Sequence, residues 1–363
     1  MSPSPESLEA WRERERSLDP RGMRAHVANL PKQIAEAVGP ARAFATGIAA
    51  AAEPPSAIAV VGMGGSAIGG DLVAACTRDR RARPLLTVRG YDLPGWLDES
   101  ALVVASSYSG NTEETLATYD AAKARGLAAV AVTTGGSLGE RARAAGDPIL
   151  ELPAGFPPRA ALGWSFTACA LIVARLDPGL EVEAEAERID AAAQWLEDAG
   201  AGWLEWDAAN PVLDAAADAA RGIAIVHGGH PVAVASAYRW KSQLNENAKR
   251  PAWHAALPEH NHTEIVGWEA DEGSLEGLVG VFLETPWDHP RVRRRFDHVR
   301  RRIESAGVPT HRFVAAGENP LEGMLWLCWL GDCASFLASV IAGRDPSPVQ
   351  SIDTLKAELG GDG

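Results

Sequence analysis

Residues 245–268 gather side chains that carry protons between two apolar stretches of the chain. The segment reads NENAKRPAWHAALPEHNHTEIVGW, and its two prolines prevent one helix from running through it. Carboxylates, a lysine and histidines are the groups that general acid and base catalysis uses. The titratable residues are Glu246, Lys249, His254, Glu259, His260, His262 and Glu264. The segment is therefore the first candidate for a site of proton transfer.

The same segment also contains residue types that bind zinc. His260 and His262 form a His-x-His pattern between Glu259 and Glu264. No further ligands follow at zinc spacing, so we expect no metal. The four cysteines show no paired metal-ligand spacing either, and we expect reduced thiols at Cys76, Cys169, Cys328 and Cys333.

Two other segments have the composition of loops that hold phosphate. In GMGGSAIGGDL, Gly62 and Gly64 allow a tight turn after a strand, and Gly65 and Ser66 begin a helix whose dipole favours an anion. In SSYSGNTEETL, three hydroxyl residues lie at a second strand-to-helix junction: Ser107, Ser109 and Thr112. Helix capping would explain either loop alone. Both together, in adjacent crossovers, favour a phosphate site.

The first loop also allows a dinucleotide-binding interpretation. Gly62, Gly64 and Ala67 satisfy the relaxed G-x-G-x-x-A pattern. An acidic ligand for the ribose should then follow the second strand, where the chain reads TVRGYD with Arg89 first and Asp92 later. This alternative predicts an oxidoreductase, and Asp92 keeps it open.

Apolar runs of strand length precede these loops at regular intervals. They begin at Ala57, Pro84, Ala101, Leu127 and Asp147, with alanine-rich helical segments between most of them. Several are continuous rather than alternating, which is typical of strands buried on both faces of a parallel sheet. The pattern predicts a doubly wound α/β unit.

The strand, glycine pair and helix sequence then recurs from Gly222, with further strands from Gly277 and Pro309. We infer a weak internal duplication, two α/β halves of the same topology. The expected division is a helical lead-in over 1–50, a first half over 51–177, a second half over 178–345 and a C-terminal helix over 346–363.

Composition excludes several classes of partner. The 363 residues carry a net charge of −14, which disfavours binding to nucleic acid or acidic membranes despite the arginine-rich helix predicted from Pro290. We identify no apolar run of the roughly 18 residues that a membrane helix needs, and the charged start MSPSPESLEAWRERER is unlike a signal peptide. We therefore expect a cytoplasmic globular protein.

The two loop sequences resemble the sugar isomerase (SIS) fold, in which such loops hold the phosphate of a phosphosugar. With GFPPRAALGW, NENAKRPAWHAALPEHNHTEIVGW and DTLK, the chain from about residue 55 resembles the bifunctional phosphoglucose/phosphomannose isomerase family. The resemblance implies two tandem SIS halves and a homodimer with a shared active site. It implies no cofactor, and sugar phosphates as substrates.

The resemblance also implies roles for particular residues. Glu246 becomes the base that moves a proton between C1 and C2, and Arg159 the cation that stabilises the enediolate. His262 becomes the ring-opening histidine, which in the family reaches the substrate from the partner subunit, and Lys356 a second ring-opening or oxygen-binding residue. The implied phosphate ligands are Gly64, Gly65, Ser66, Ser107, Ser109 and Thr112.

Each catalytic residue also has an ordinary structural interpretation. Glu246 would otherwise be an exposed charge paired with Lys249 or Arg250, and Lys356 a solvated lysine. A phosphosugar-binding SIS regulator without catalysis is the alternative function, and it would need only the phosphate loops. The joint presence of Glu246, His262 and Arg159 favours the enzyme.

Overall fold

The computed structural model describes residues 4–49, 53–270 and 272–360. The strands are β1 Ile58–Val61, β2 Leu85–Val88, β3 Leu102–Ser106, β4 Ala128–Thr133, β5 Ile149–Glu151, β6 Ile223–Gly228, β7 Ala252–Ala256, β8 Leu278–Glu284 and β9 Thr310–Val314. The helices are α1 Pro5–Leu18, α2 Met23–Ala28, α3 Leu30–Gly47, α4 Gly64–Cys76, α5 Glu113–Ala124, α6 Gly136–Ala145, α7 Leu162–Leu176, α8 Val182–Ala199, α9 Leu213–Arg221, α10 Pro231–Gln243, α11 Pro290–Ser305, α12 Pro320–Ile341 and α13 Gln350–Gly360.

The strands form two parallel sheets of related topology. The first has the order β2-β1-β3-β4-β5 and the second β7-β6-β8-β9, so each begins second, first, third, fourth. Helices cover both faces of the central strands, and all four residues of β1 are buried. This confirms the prediction of two doubly wound halves. The eight apolar runs predicted as strands all form strands.

One strand was missed in the sequence. The short edge strand β7 pairs only with β6, and it lies inside the segment that we interpreted for its chemistry. An edge strand does not need a continuous apolar run, because one of its sides has no neighbouring strand.

A layer of helices joins the two sheets in one core. α3 packs against α7 and α8, so the N-terminal helices belong to this core. α10, from the second half, packs against both α4 and α12. The buried side chains of these helices include Ile34 on α3, Phe166 on α7 and Trp240 on α10, each at most 1 % exposed. α10 therefore brings the end of the second half close to the first loop of the first half.

The apolar helix α12 corrects one sequence expectation. It contains a window of 18 residues with a mean hydropathy of 1.7, long and apolar enough to cross a membrane by length and composition. Here 89 % of that window is buried inside the molecule. The helix packs against α8, α9 and α10, and Asp332 within it is ion-paired to Arg239. The prediction that no apolar run reaches this length is wrong.

Candidate active site

The two hydroxyl-bearing loops lie side by side at the carboxyl edge of the first sheet. β1 leads into α4 through Gly62 and Met63, and the neighbouring β3 leads into α5 through residues 107–112. The backbone N–H of Tyr108 donates to Ser66 Oγ at 3.0 Å, so the loops are hydrogen bonded to each other. This is where the strand order reverses, the position at which open parallel sheets bind ligands.

The hydroxyl groups of the second loop are held in local hydrogen bonds. Ser107 Oγ lies 2.9 Å from Thr112 Oγ1 and accepts from the N–H of Gly110 at 3.1 Å. The exposed Ser109 accepts from the N–H of Asn111 at 3.3 Å. These bonds arrange the hydroxyls around the start of α5.

Neither helix start has a side-chain cap. Met63 precedes α4 and has no capping group, and Thr112 precedes α5 but makes no capping hydrogen bond. The first-turn N–H groups of both helices therefore lack a capping side chain in the described structure, which favours an anion at this edge.

Gly65 lies where the first loop packs closely against the turn that contains Arg159. A Cβ at this position would lie 2.9 Å from the carbonyl oxygen of Pro158 and 3.2 Å from the Cα of Arg159. Only glycine allows this approach. Gly64 has a φ of +50°, in the left-handed region that favours glycine.

Arg159 is buried in the 3₁₀ turn between β5 and α7 and is 4 % exposed. Its Nε donates to Asn247 Oδ1 at 2.7 Å, and its Nη2 donates to the carbonyl oxygens of Pro346 and Ser347 at 2.7 and 2.9 Å. Its Nη1 lies 3.7 Å from Glu246 Oε2. Nε and Nη2 of the guanidinium are therefore engaged in hydrogen bonds, and Nη1 lies beside the carboxylate of Glu246.

The electrostatics of Arg159 follow from this position. Burial lowers the pKa of its guanidinium, while the carboxylates of Glu246 and Asp345 raise it. A guanidinium remains charged in proteins even when buried. The site therefore holds a fixed positive charge with little access to water.

Glu246 lies in a single turn of π-helix, Leu244–Ala248, which continues α10. Its side chain is 27 % exposed, whereas the neighbouring Asn247 is fully buried and binds Arg159. Turns of π-helix are rare and often lie at functional sites. Here the turn places an accessible carboxylate next to the buried amide that holds the cation.

These groups line one narrow cleft of about 20 Å³ between α4 and α10. Its walls are formed by Gly64, Gly65, Ile68, Arg159, Tyr238, Arg239, Ser242, Gln243 and Glu246. A second, wider groove of about 540 Å³ is also bordered by Glu246 and Ser242. The structure therefore brings the first loop, Arg159 and Glu246 together, although they are far apart in the sequence.

A buried polar network behind this cleft was missed in the sequence. Arg239 Nη2 donates to Asp332 Oδ2 at 2.6 Å and to the carbonyl oxygen of Arg159 at 3.1 Å. Gln243 Nε2 donates to Asp332 Oδ1 at 3.0 Å. Burial raises the pKa of Asp332, and Arg239 and Gln243 lower it. The sequence signal for this network is Asp332, an aspartate within the apolar segment that forms α12.

Two of the predicted catalytic residues do not line the cleft. His262 is exposed in the 3₁₀ turn Glu259–His262, and Lys356 is exposed on α13. In the described parts of the chain neither side chain makes a hydrogen bond or an ion pair. Within one subunit, the structure does not bring them to Glu246.

His260, the other histidine of the His-x-His pattern, is buried, whereas His262 is exposed. His260 is 1 % exposed, and its Nε2 accepts from Trp268 Nε1 at 3.3 Å. Its ring packs edge-on against His227 with centroids 5.0 Å apart. Burial lowers the pKa of both histidines, that of His227 to about 3. Within the described ranges, no three His, Cys, Asp or Glu side chains are grouped as metal ligands.

A dinucleotide-binding site needs an acidic residue at the end of the second strand, and the structure has a cation at this position. Arg89 directly follows β2 and forms an ion pair with Asp71 on α4. Asp92 is exposed in the loop that follows. The end of the second strand therefore presents a guanidinium instead of a carboxylate.

Comparison with known proteins identifies relatives over most of the chain. A model of the bacterial phospho-glucose isomerase C-terminal SIS domain matches residues 208–359. The chain is 35 % identical over 341 residues to the bifunctional phosphoglucose/phosphomannose isomerase of Caldicellulosiruptor bescii, covering 92 % of this chain and 97 % of that protein. Identity to the Aquifex aeolicus enzyme of the same name is 34 % over 307 residues, 84 % of this chain and 91 % of that one.

A solved structure of a hypothetical protein from Thermus thermophilus superposes with a TM-score of 0.72, covering 99 % of this chain and 94 % of that chain. At 15 % identity this likeness shows the fold alone.

Two parallel sheets of shared strand order, with two hydroxyl-bearing loops at the carboxyl edge of one of them, define an SIS-fold sugar isomerase. The chain belongs to the bifunctional phosphoglucose/phosphomannose isomerase family. Because the relatives are named as isomerases, a regulator without catalysis is not favoured.

Proposed function

We propose that this protein interconverts glucose 6-phosphate, fructose 6-phosphate and mannose 6-phosphate through an enediolate. One observation carries the proposal: Arg159 Nη1 lies 3.7 Å from Glu246 Oε2 on a cleft that Gly64 and Gly65 also line. A base, a fixed cation and a phosphate loop are the parts that an aldose-ketose isomerase needs.

The substrate phosphate binds at the edge of the first sheet. The proposed ligands are the backbone at Gly64 and Gly65 and the hydroxyls of Ser66, Ser107, Ser109 and Thr112. The hydrogen bond from Tyr108 to Ser66, and the uncapped starts of α4 and α5, support this assignment. Since the whole protein carries a charge of −14, these local donors must outweigh a repulsive field.

Glu246 removes the proton from C2 of the open-chain aldose and returns it to C1. The hydroxyl proton moves from O2 to O1, so the oxidation states of the two carbons exchange within the substrate. The reaction therefore requires no external oxidant or reductant. The 27 % exposure of the Glu246 side chain leaves it accessible to a ligand.

Arg159 stabilises the negative charge of the enediolate. Its Nε and Nη2 are held by Asn247, Pro346 and Ser347, which fixes the guanidinium before the substrate binds. A preorganised charge in a site with little water stabilises a developing anion more than the same charge in solvent.

His262 opens the sugar ring from the partner subunit of a homodimer, and Lys356 assists at the ring oxygen or a hydroxyl. The exposure of both residues supports an origin in another subunit. α13 also exposes Ile352, Leu355 and Leu359 by 41 to 54 %, an apolar surface suited to a second copy.

We also propose that residues 51–177 form the phosphate-binding half and 178–345 the half that supplies the base, flanked by 1–50 and 346–363. Four free cysteines agree with a reducing, cytoplasmic compartment. Nucleic acid and membranes are not partners in this proposal.

The test is conversion of fructose 6-phosphate, coupled through glucose-6-phosphate dehydrogenase to NADPH formation. Glu246→Gln should lower kcat by about 10² to 10⁴, because a positioned acid or base contributes that much. Its thermal unfolding should match the wild type. Glu197→Gln, at an exposed position on α8, is the matched control. Mannose 6-phosphate is tested with the same variants.

Two results would contradict the proposal. A folded wild type without turnover that still binds sugar phosphates would indicate the regulator. Wild-type turnover in Glu246→Gln would remove Glu246 as the base.

A further inference from the structure

Lys249 has an unusual backbone conformation directly after the π-helical turn. Its φ is +55° and its ψ +38°, and in the described ranges no other residue except glycine has a positive φ. Its N–H closes the turn by donating to the carbonyl oxygen of Leu244. A left-handed conformation is unfavourable for lysine, and such strain persists where the structure holds it, frequently at functional sites.

The side chain of Lys249 uses all its donors on main-chain carbonyl oxygens. Nζ lies 2.6 Å from the oxygen of Glu246, 3.1 Å from that of Pro346 and 3.4 Å from that of Asn247. An ammonium group has three N–H donors, and three acceptors surround this one. The bonds join the turn that contains Glu246 to the segment near the C-terminus.

That segment is also the one that holds Arg159. The carbonyl oxygen of Pro346 accepts from Arg159 Nη2 at 2.7 Å and from Lys249 Nζ at 3.1 Å. Asn247, a second acceptor for Lys249, also binds Arg159 through its amide oxygen. Lys249 and Arg159 are therefore linked through two shared residues.

We propose that Lys249 is a positioning residue of this site: its ammonium group ties the turn of Glu246 to the carbonyl segment that holds Arg159, and so fixes the base relative to the cation. The inference rests on the proposed isomerase function. It gives Lys249 no contact with the substrate.

The charges around Lys249 predict a pH dependence. Its pKa is lowered to about 8 overall: burial lowers it most, the guanidinium of Arg159 also lowers it, and the carboxylates of Asp345 and Glu246 raise it. The other charges near the turn, Arg239 on α10 and Asp332 on α12, are paired with each other. Above its pKa, the amine has two donors for three carbonyl oxygens, so the link weakens and kcat should fall as the pH rises through about 8.

The test compares kcat and KM between pH 6.5 and 9.5 for the wild type, Lys249→Asn and Lys249→Arg. Asparagine tolerates the left-handed backbone but has no cation. We expect kcat of Lys249→Asn to be about 10- to 100-fold lower, since small misplacements of reacting groups cost that much. KM should stay within about 3-fold, because the phosphate loops are unchanged. In Lys249→Arg, the fall in kcat near pH 8 should be absent.

Lys123→Met is the matched control, since Lys123 is also partly buried and binds Asp147 away from the cleft. It should keep the wild-type kcat and pH profile. A wild-type kcat in Lys249→Asn would overturn the proposal. So would an unchanged fall in kcat near pH 8 in folded Lys249→Arg.

A measurement without turnover separates this proposal from the proposed function. In Lys249→Asn, amide hydrogen exchange should become faster over residues 244–250 and 345–348, with the rest of the chain unchanged. Faster exchange together with an inactive wild type would retain the link and reject the isomerase. Unchanged exchange in these segments would reject the link.

Discussion

Arg159 and Glu246 lie in turns that follow elements of different sheets, yet Arg159 Nη1 lies 3.7 Å from Glu246 Oε2. Arg159 follows the last strand of the first sheet, and Glu246 follows the first helix after β6 of the second. Asn247 joins them, because it is adjacent to Glu246 in sequence and accepts from Arg159 Nε. The reactive pair therefore depends on the packing of one half against the other.

Replacement of Arg159 by lysine tests whether the positive charge is sufficient for turnover or whether the planar guanidinium is also needed. Lysine keeps the positive charge but cannot reproduce a planar fork that binds an amide and two carbonyl oxygens. We expect kcat to fall by about 10² to 10³, as for the loss of a preorganised anion-stabilising donor. The unpartnered carbonyl oxygens should lower the free energy of unfolding by about 1–3 kcal/mol.

Arg312→Lys is the control for that variant. Arg312 donates to both carboxylate oxygens of Glu284 on the second sheet, outside the cleft. It should retain the wild-type kcat. Equal turnover in both variants would mean that the Arg159 guanidinium has no special role.

Gly65 gives a steric test of the contact between the phosphate loop and the Arg159 turn. In Gly65→Ala the new methyl would lie 2.9 Å from the carbonyl oxygen of Pro158, so the turn must move. We expect kcat/KM for fructose 6-phosphate to fall about 10- to 100-fold. Gly69→Ala, one turn further along α4, meets its nearest atom at 3.4 Å and should retain wild-type kinetics. Similar losses in both would indicate a general effect on α4.

The loops at the sheet edge could be predicted because each is a contiguous run of residues. Gly64, Ser66 and Ser107 follow buried strands directly, and the carboxyl ends of parallel strands lie at one edge whatever the rest of the chain does. The proximity of the two loops follows from the order of the strands in the sheet alone.

The network around Arg159 could not be predicted in the same way. Arg239 and Asp332 are 93 residues apart, and only the packing of α10 on α12 brings them together. Lysine has no preference for a left-handed backbone, so no local signal indicates the conformation of Lys249. Such contacts depend on tertiary packing, which local periodicity does not encode.

Buried neutral histidines should make the protein sensitive to acid. The pKa of His227 is about 3 in the folded protein because of burial, compared with about 6.5 in an unfolded chain. The unfolded state therefore binds more protons as the pH falls below 6.5. His227 should reduce the free energy of unfolding by about 1.4 kcal/mol per pH unit from there towards pH 3, with no contribution to the slope above 6.5.

Urea denaturation at pH 7, 6, 5 and 4 measures this slope. His227→Gln replaces the ring by a group that does not titrate, so the slope should decrease by about one proton. The exposed His298→Gln is the control and should leave the slope unchanged. An equal slope in the wild type and His227→Gln would show that His227 does not cause the acid sensitivity.

A mixing experiment tests the shared active site. If His262 serves the cleft of its partner, a dimer of Glu246→Gln and His262→Ala subunits contains one complete site and one site that lacks both groups. Random exchange of subunits makes half the dimers mixed, so activity should recover to about one quarter of the wild type. Mixing Glu246→Gln with Arg159→Lys is the control, because both residues line the same cleft and no complete site forms. No recovery in the first mixture would place His262 within its own subunit's site or outside catalysis. Recovery in the control would mean that Glu246 and Arg159 do not act in one site.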